Sequence, residues 1–219
     1  MGPWSLGYHC FGVEPFLLMT LDDPEKTKLC LDRMKEATVQ FGIAQAEAGA
    51  DAITLPDHAT GDLVSGEYYD RFLKDLHTEL AARIPIPIIL HICGRTVDRM
   101  GFIVQTGMAA FHYDSKNEPA ESVAAIDNRI ALVGNINNPE TLFSKGPDIV
   151  RIRCSSIVTE YGRCASENVV SSLCTFCFVT AALMWSVTMT VSGVPCPTVC
   201  TYVGSVGSYG VKPSAINRA

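Results

Sequence analysis

Along residues 1–150, short apolar runs alternate with longer segments in which apolar residues recur at helical spacing. Short apolar runs predict buried strands, and the segments between them carry apolar residues three or four positions apart, which predicts helices. The predicted strands are 51–56, 84–93, 108–113 and 130–134. The predicted helices start near residues 24, 65, 96, 119 and 138. Strands that alternate with helices indicate an α/β protein with a parallel sheet.

The first of these helices has clear boundary signals. Asp23 stands in the N-cap position and Pro24 in the first helical position, where a missing amide hydrogen does no harm. An apolar stripe continues from there until Gly49, which is a typical C-cap residue. The second helix has Ser65 as its candidate cap.

Every predicted strand is followed by polar side chains. They are Asp57 and His58, then His91 and Cys93, then Asp114, and finally Asn135. Functional residues at the carboxyl ends of strands are typical of a TIM-type (β/α) barrel. A doubly wound sheet is the alternative, but no glycine-rich phosphate loop follows any strand. Four strands, or five with the N-terminal segment, are too few to close an eight-stranded barrel. Either the chain is incomplete or its last third supplies unusual strands, and we expect a partial barrel.

The pair His91 and Cys93 is the most specific chemical signal in the chain. Residues two apart on a strand share a face, and an imidazole beside a thiolate suits zinc better than magnesium or calcium. The alternative interpretation is a buried thiol beside a core histidine. His112 is interpreted as a packing residue that points away from Asp114, and His77 as a helix residue with no ligand role.

Weaker candidates surround this pair. Asp57 and His58 are candidates for orienting a substrate or transferring a proton, and a hydrogen-bonded strand-end turn is the equal alternative. His9 is a further weak candidate, while Cys10 and Cys30 are interpreted as buried structural thiols.

Composition narrows the class of protein. The formal net charge is −6 and no basic run occurs, which argues against a nucleic-acid partner. The first residues do not have the pattern of a secretory signal peptide, so a cytoplasmic protein is expected.

The last third of the chain differs from the rest. No charged residue occurs from 168 to 211, and six of the nine cysteines lie after residue 150. Residues 169–194 are apolar and long enough to span a membrane, although serines and threonines interrupt them. The composition predicts an irregular tail read in a shifted frame. A C-x-x-C pair, Cys174 and Cys177, suggests a zinc or redox site with Cys196 and Cys200, but the glycines usual around such pairs are missing.

Several segments together resemble the uroporphyrinogen decarboxylase superfamily, and within it the methylcobamide:coenzyme M methyltransferases of methanogens. The matching segments are 2–14, 49–53 with 56–57, 90–94, 111–116 and 132–137. The resemblance implies a TIM-type barrel over residues 1–150, from which the first strands of the family barrel are missing, and a divergent tail over residues 151–219.

The resemblance also implies a ligand set and a reaction. His91 and Cys93 match the first two zinc ligands of that family, and Asp114 matches an acidic residue that completes the site provisionally. The family's late cysteine is expected near residue 170, where Cys164 is a weak candidate. In this family, zinc binds the thiol of coenzyme M, which accepts a methyl group from a methylated corrinoid carried by a partner protein.

The expected function is therefore zinc-dependent methyl transfer to coenzyme M by a fragment of such an enzyme. One alternative is a cofactor-free decarboxylase that acts on a porphyrinogen. The other is an inactive remnant, truncated or associated with a membrane.

Overall fold

The computed structural model describes residues 1–150 and residue 152. Four parallel strands form one sheet in the order β1-β2-β3-β4. The strands are β1 Ile53–Pro56, β2 Ile88–Ile92, β3 Ala110–Tyr113 and β4 Ala131–Val133. Since each strand pairs with the next one along the chain, the order is that of a barrel wall rather than of a doubly wound sheet, whose order reverses.

Helices precede and connect the strands. They are α1 Pro3–Phe11, α2 Val13–Asp22, α3 Pro24–Glu47, α4 Gly66–Phe72, α5 Lys74–Arg83, α6 Val97–Ile103 and α7 Pro119–Ile126, followed by a π-helix at Asn138–Phe143. The N-terminal segment is thus helical, and the expectation of a fifth strand there is wrong within the part of the chain that the structure describes.

The start of α3 confirms the predicted boundary. The Asp23 carboxylate accepts a hydrogen bond from the Lys26 amide at 3.0 Å, and Pro24 occupies the first helical position. Gly49, just past the end of the helix, has a φ of +94°, a conformation that favours glycine.

The helix predicted from Ser65 is instead two helices that meet at Leu73. Leu73 is wholly buried and leaves the helical backbone at φ −121°. Ser65 makes no side-chain cap, and the Asp98 carboxylate in the first turn of α6 accepts the Gly66 amide hydrogen at 2.7 Å. A tertiary contact has replaced the local cap that the sequence predicts.

The two faces of the sheet pack differently. Leu55, Leu90 and Phe111 belong to one continuous core that also contains buried residues from all seven α-helices. We call this side the helix face. Among the described residues, the buried apolar side chains of the opposite face form a small cluster of Ile89, Ala110 and Val133. The strands are therefore covered by the described helices on one side, as in a barrel wall.

Several sequence predictions concern residues outside the described ones. These are the apolar stretch 169–194, the candidate ligand Cys164, and the pair Cys174 and Cys177 with Cys196 and Cys200. Within residues 1–150, no helix combines the length and the apolar character needed to cross a bilayer.

Candidate functional site

His91 and Cys93 converge at the carboxyl end of β2. Residues of alternate parity point to opposite faces, so His91 and Cys93 lie together on the face away from the helices, which we call the site face. The Cys93 thiol donates to His91 Nε2 at a separation of 2.9 Å. His91 Nδ1 donates to the backbone carbonyl of His112 at 3.0 Å. The carbonyl thereby fixes the tautomer and leaves the Nε2 lone pair directed at the sulfur.

Burial sets the protonation of both groups. Desolvation lowers the pKa of His91, and the nearby His58 lowers it further, although the hydrogen bond to His112 and the charge of Asp114 act in the opposite direction. Desolvation raises the pKa of the Cys93 thiol, Asp114 raises it further, and Lys116 opposes the rise. Without a metal, the pair at neutral pH is a neutral imidazole and a protonated thiol.

His112 lies on the site face beside His91, so its interpretation as a residue that points away from Asp114 is wrong. The register pairs His91 with His112, and their ring centroids are 4.5 Å apart. The physical reason is the period of two, which places residues 112 and 114 on one face. Burial and the neighbouring His91 lower the pKa of His112 to about 3, so its ring is neutral as well.

Asp114 holds the loops at this edge together. Its carboxylate accepts the Gly94 amide hydrogen at 2.9 Å and the Lys116 amide hydrogen at 3.0 Å. Within residues 1–150, no three histidine, cysteine or acidic side chains are grouped to hold a metal ion. Asp114 thus positions the loops beside His91 and Cys93, and its role as a provisional third ligand stays a prediction.

Gly94 lies where the loops after β1 and β2 meet. Its φ is +77°, and a Cβ there would lie 2.1 Å from Thr60 Oγ1. Only glycine fits this close approach without displacing the β1 loop.

Asp57 lies on the helix face, and its predicted role in substrate chemistry does not match its position. It is fully buried and accepts hydrogen bonds from the amides of Ser5 at 2.7 Å and Trp4 at 3.4 Å. His77 Nε2 donates to it at 3.0 Å, while the Tyr69 hydroxyl donates to His77 Nδ1 at 2.8 Å. This buried network fastens α1 and α5 to the end of β1.

His58, the next residue, lies on the other side of the strand end. It is exposed, and its amide donates to Ser5 Oγ at 2.8 Å. Its charge acts on His91, which places it at the rim of the site face. Of the two candidates at the end of β1, the structure brings only His58 toward the predicted site.

The remaining candidates lie elsewhere. His9 and Cys10 are exposed on α1, and Cys30 is half-buried on α3. The interpretation of Cys10 as a buried thiol is wrong, because its side chain is exposed. Nothing in the sequence indicates that this side of α1 faces solvent.

Sequence reasoning missed Asn117. This buried residue accepts the Thr96 amide hydrogen at 2.6 Å and donates to the Gly94 carbonyl at 2.8 Å. It also receives support from Asn135, which donates to its backbone carbonyl at 2.8 Å. The only signal in the sequence is an asparagine in a loop that follows a strand end, which is common in any turn.

A family model described as Uroporphyrinogen decarboxylase (URO-D) matches residues 1–175. This chain belongs to the uroporphyrinogen decarboxylase family.

The similar proteins are named either as coenzyme M methyltransferases or as uroporphyrinogen decarboxylases. A methylated-thiol–coenzyme M methyltransferase from Methanosarcina mazei is 36% identical over 169 residues, which are 69% of this chain and 46% of that protein. A methylcobamide:CoM methyltransferase from Methanosarcina barkeri is 30% identical over 143 residues, 64% of this chain and 42% of the relative. A uroporphyrinogen decarboxylase from Cellvibrio japonicus is 29% identical over 153 residues, which are 66% of this chain and 42% of that protein.

A solved structure confirms the fold prediction. It is described as a methyltransferase from Methanosarcina mazei, and it matches with a TM-score of 0.69 and 26% identity over 72% of this chain and 48% of that one. The four-stranded sheet is thus part of a TIM-type barrel. This chain spans less than half the length of these curated relatives and of that structure.

The donor atoms at the end of β2 fit a zinc ion. An imidazole nitrogen and a thiol sulfur face each other, and the second imidazole nitrogen is held by a carbonyl, as is usual for metal-binding histidines. His91 and Cys93 supply two ligands, and within the described residues no third histidine, cysteine or acidic side chain is grouped with them.

Proposed function

We propose that this chain takes part in zinc-dependent methyl transfer from a methylated corrinoid protein to the thiol of coenzyme M. His91 and Cys93 are the metal ligands in this proposal. The observation that carries it is the convergence of His91 Nε2 and Cys93 Sγ at 2.9 Å on the carboxyl edge of a barrel sheet. The names of the methyltransferase relatives supply the reaction class.

The chain's own residues prepare the site for a cation. The His112 carbonyl accepts the Nδ1 hydrogen of His91, so the Nε2 lone pair is available to bind a metal ion. The neutral rings of His91 and His112 do not repel a metal ion. Cys93 loses its proton when a metal binds, because the thiolate is the ligand. Bound zinc would lower the pKa of a thiol substrate, so that a nucleophilic thiolate exists near neutral pH.

The corrinoid belongs to the partner in this proposal, so the chain needs a surface for that protein rather than a cobalt ligand. Asp114 is the provisional third ligand in this proposal, and Cys164 stays a weak candidate for the late cysteine that the family resemblance implies. We propose a cytoplasmic location; the three cysteines in the part of the chain that the structure describes, Cys10, Cys30 and Cys93, form no disulfide there, which agrees with a reducing compartment.

Thiol methylation tests the proposal directly. The zinc-loaded chain is mixed with methylcobalamin and 2-mercaptoethanesulfonate, and the loss of the methylcobalamin absorbance is followed. We expect methyl transfer by the wild-type chain and by the control Cys10→Ser, whose thiol is exposed on α1. Transfer should be absent in Cys93→Ser. Equal rates in Cys93→Ser and Cys10→Ser would contradict the proposal.

A second candidate is decarboxylation of a porphyrinogen, favoured by the uroporphyrinogen decarboxylase relative that is 29% identical. That chemistry needs no thiolate ligand. Carbon dioxide release from uroporphyrinogen by the metal-free chain, retained in Cys93→Ser, would favour it. A chain that binds no zinc and performs neither reaction would be an inactive remnant.

A further inference from the structure

A cleft of about 510 Å³ opens between the loops that follow β2 and β3. Its lining includes Arg95 and Thr96 from the first loop and Lys116 and Asn117 from the second. Arg95 follows Cys93 by two residues and Lys116 follows Asp114 by two, so both cations lie on the loops that carry the candidate site residues, and most of the remaining lining comes from the starts of α6 and α7.

The two loops are fastened together. Asn117 bonds to the Thr96 amide and the Gly94 carbonyl, and Asp114 bonds to the amides of Gly94 and Lys116. The buried Asn117 and the partly buried Asp114 bridge the two loops and hold the backbone between them in one arrangement. Arg95 and Lys116 therefore rise from a rigid base, and their charges lie close enough to act on each other.

Both cations are available to a ligand. Within the described ranges, the Arg95 side chain is exposed and makes no hydrogen bond or ion pair. Lys116 pairs with Asp62 at 2.7 Å, but both side chains are about half exposed (56% and 43%). An exposed pair of this kind contributes little free energy, so Lys116 exchanges Asp62 for another anion easily.

The cleft is also lined by three acidic residues, Asp98, Glu118 and Glu121. The Asp98 carboxylate is occupied by Arg99 and by the Gly66 amide. Glu118 and Glu121 lie at the start of α7. Lys116 lies close enough to the Cys93 thiol to lower its pKa, against the rise caused by burial and by Asp114.

We propose that Arg95 and Lys116 bind the acidic group of the thiol substrate, an anion of the sulfonate class, while its sulfur reaches the metal site. This inference rests on the proposed function, in which the substrate is 2-mercaptoethanesulfonate. Arg95 supplies a planar fork of donors that matches the oxygens of such an anion, and Lys116 supplies a point charge.

Thiols of different charge test the proposal on the cobalt-substituted chain, where thiol binding is read from the sulfur-to-cobalt absorption band. The probes are 2-mercaptoethanesulfonate, neutral 2-mercaptoethanol and cationic cysteamine. In Arg95→Gln and Lys116→Gln, we expect the dissociation constant of the sulfonate thiol to rise about tenfold each. The constant for 2-mercaptoethanol should stay within about twofold, and cysteamine should bind more tightly.

Arg33→Gln is the matched control, because it removes the same charge from an exposed position on α3. It should leave all three constants unchanged. Equal losses for charged and neutral thiols in Arg95→Gln, or a loss in Arg33→Gln as large as in Arg95→Gln, would overturn the proposal.

A thiol-free arm separates this inference from the proposed function. Ethanesulfonate is titrated into the metal-free chain while the arginine Nε–Hε signals are followed by NMR. We expect the Arg95 signal to shift and the Arg33 signal to remain, with inorganic phosphate giving a smaller shift. If cobalt and zinc do not bind, the proposed function fails, and the NMR titration still decides the anion site. No Arg95 shift would overturn the inference even if the metal binds.

Discussion

The two faces of the same four strands carry different side chains, apolar core residues on one and histidines on the other. On the helix face, Leu90 and Phe111 are fully buried in a core shared with all seven α-helices of the described part. On the site face, the neighbouring positions 91 and 112 carry histidines whose rings contact each other. One residue of offset along a strand separates a residue that stabilises the fold from one that is available for chemistry.

The comparison explains the opposite roles of Asp57 and His58. Asp57 is buried on the helix face and bonded to α1 and His77, whereas His58 is exposed at the rim of the site face. A polar residue at a strand end is therefore not enough to indicate chemistry. The face on which it lies decides whether it positions the fold or meets a substrate.

The largest expected effect compares two isoleucines on β2. Ile92 is fully buried in the main core, and Ile89 packs in the small cluster of the site face. We expect Ile92→Ala to lower the free energy of unfolding by about 4 kcal/mol and Ile89→Ala by about 2 kcal/mol, because the larger core collapses less around the cavity. Urea titration of the metal-free chain measures both. A larger loss for Ile89→Ala would break the distinction between the faces.

The next effect concerns the buried network of Asp57. We expect Asp57→Ala to lower the free energy of unfolding by about 3 kcal/mol, because His77 and two amides of α1 lose their acceptor. Asp51→Ala is the matched control at an exposed position before β1, and it should cost less than about 0.5 kcal/mol. Equal effects in the two variants of the metal-free chain would show that Asp57 is not a positioning residue.

A smaller effect appears in the pH dependence of stability. The folded pKa of His112 is about 3, below the unfolded value near 6.5, so the unfolded chain takes up its proton first as the pH falls. The contribution of His112 is present above pH 6.5 and is lost as the pH falls toward 3. Between pH 7 and pH 5, the metal-free wild type should lose about 2 kcal/mol more than His112→Phe. Parallel curves for the two proteins would contradict this.

The last expected effect concerns zinc affinity rather than folding stability. Burial keeps Cys93 protonated near neutral pH, so each zinc that binds displaces a proton from that thiol. The association constant should rise at least about tenfold per pH unit between pH 6.5 and 8.5, as measured by competition with a chromophoric chelator. Cys30→Ser should keep this slope. A flat profile in the wild type would mean that the Cys93 thiolate is not a ligand.

Local signals in the sequence predicted the features that depend on neighbouring residues. Pro119–Ile126 is found as predicted, Asp23 caps α3, and His91 meets Cys93 because a period of two is a property of a single strand. The contacts between strands and loops were not predictable in this way. The pairing of His91 with His112 depends on the register of two strands, and the free Arg95 depends on how two loops meet.

Zinc content tests the central claim most directly. The zinc per chain is measured by elemental analysis in the purified wild type, in Cys93→Ser, and in Cys10→Ser as the matched control. The account predicts about one zinc in the wild type and in Cys10→Ser, and none in Cys93→Ser. No zinc in any of the three, or equal zinc in all of them, would contradict the assignment of His91 and Cys93 as the metal site.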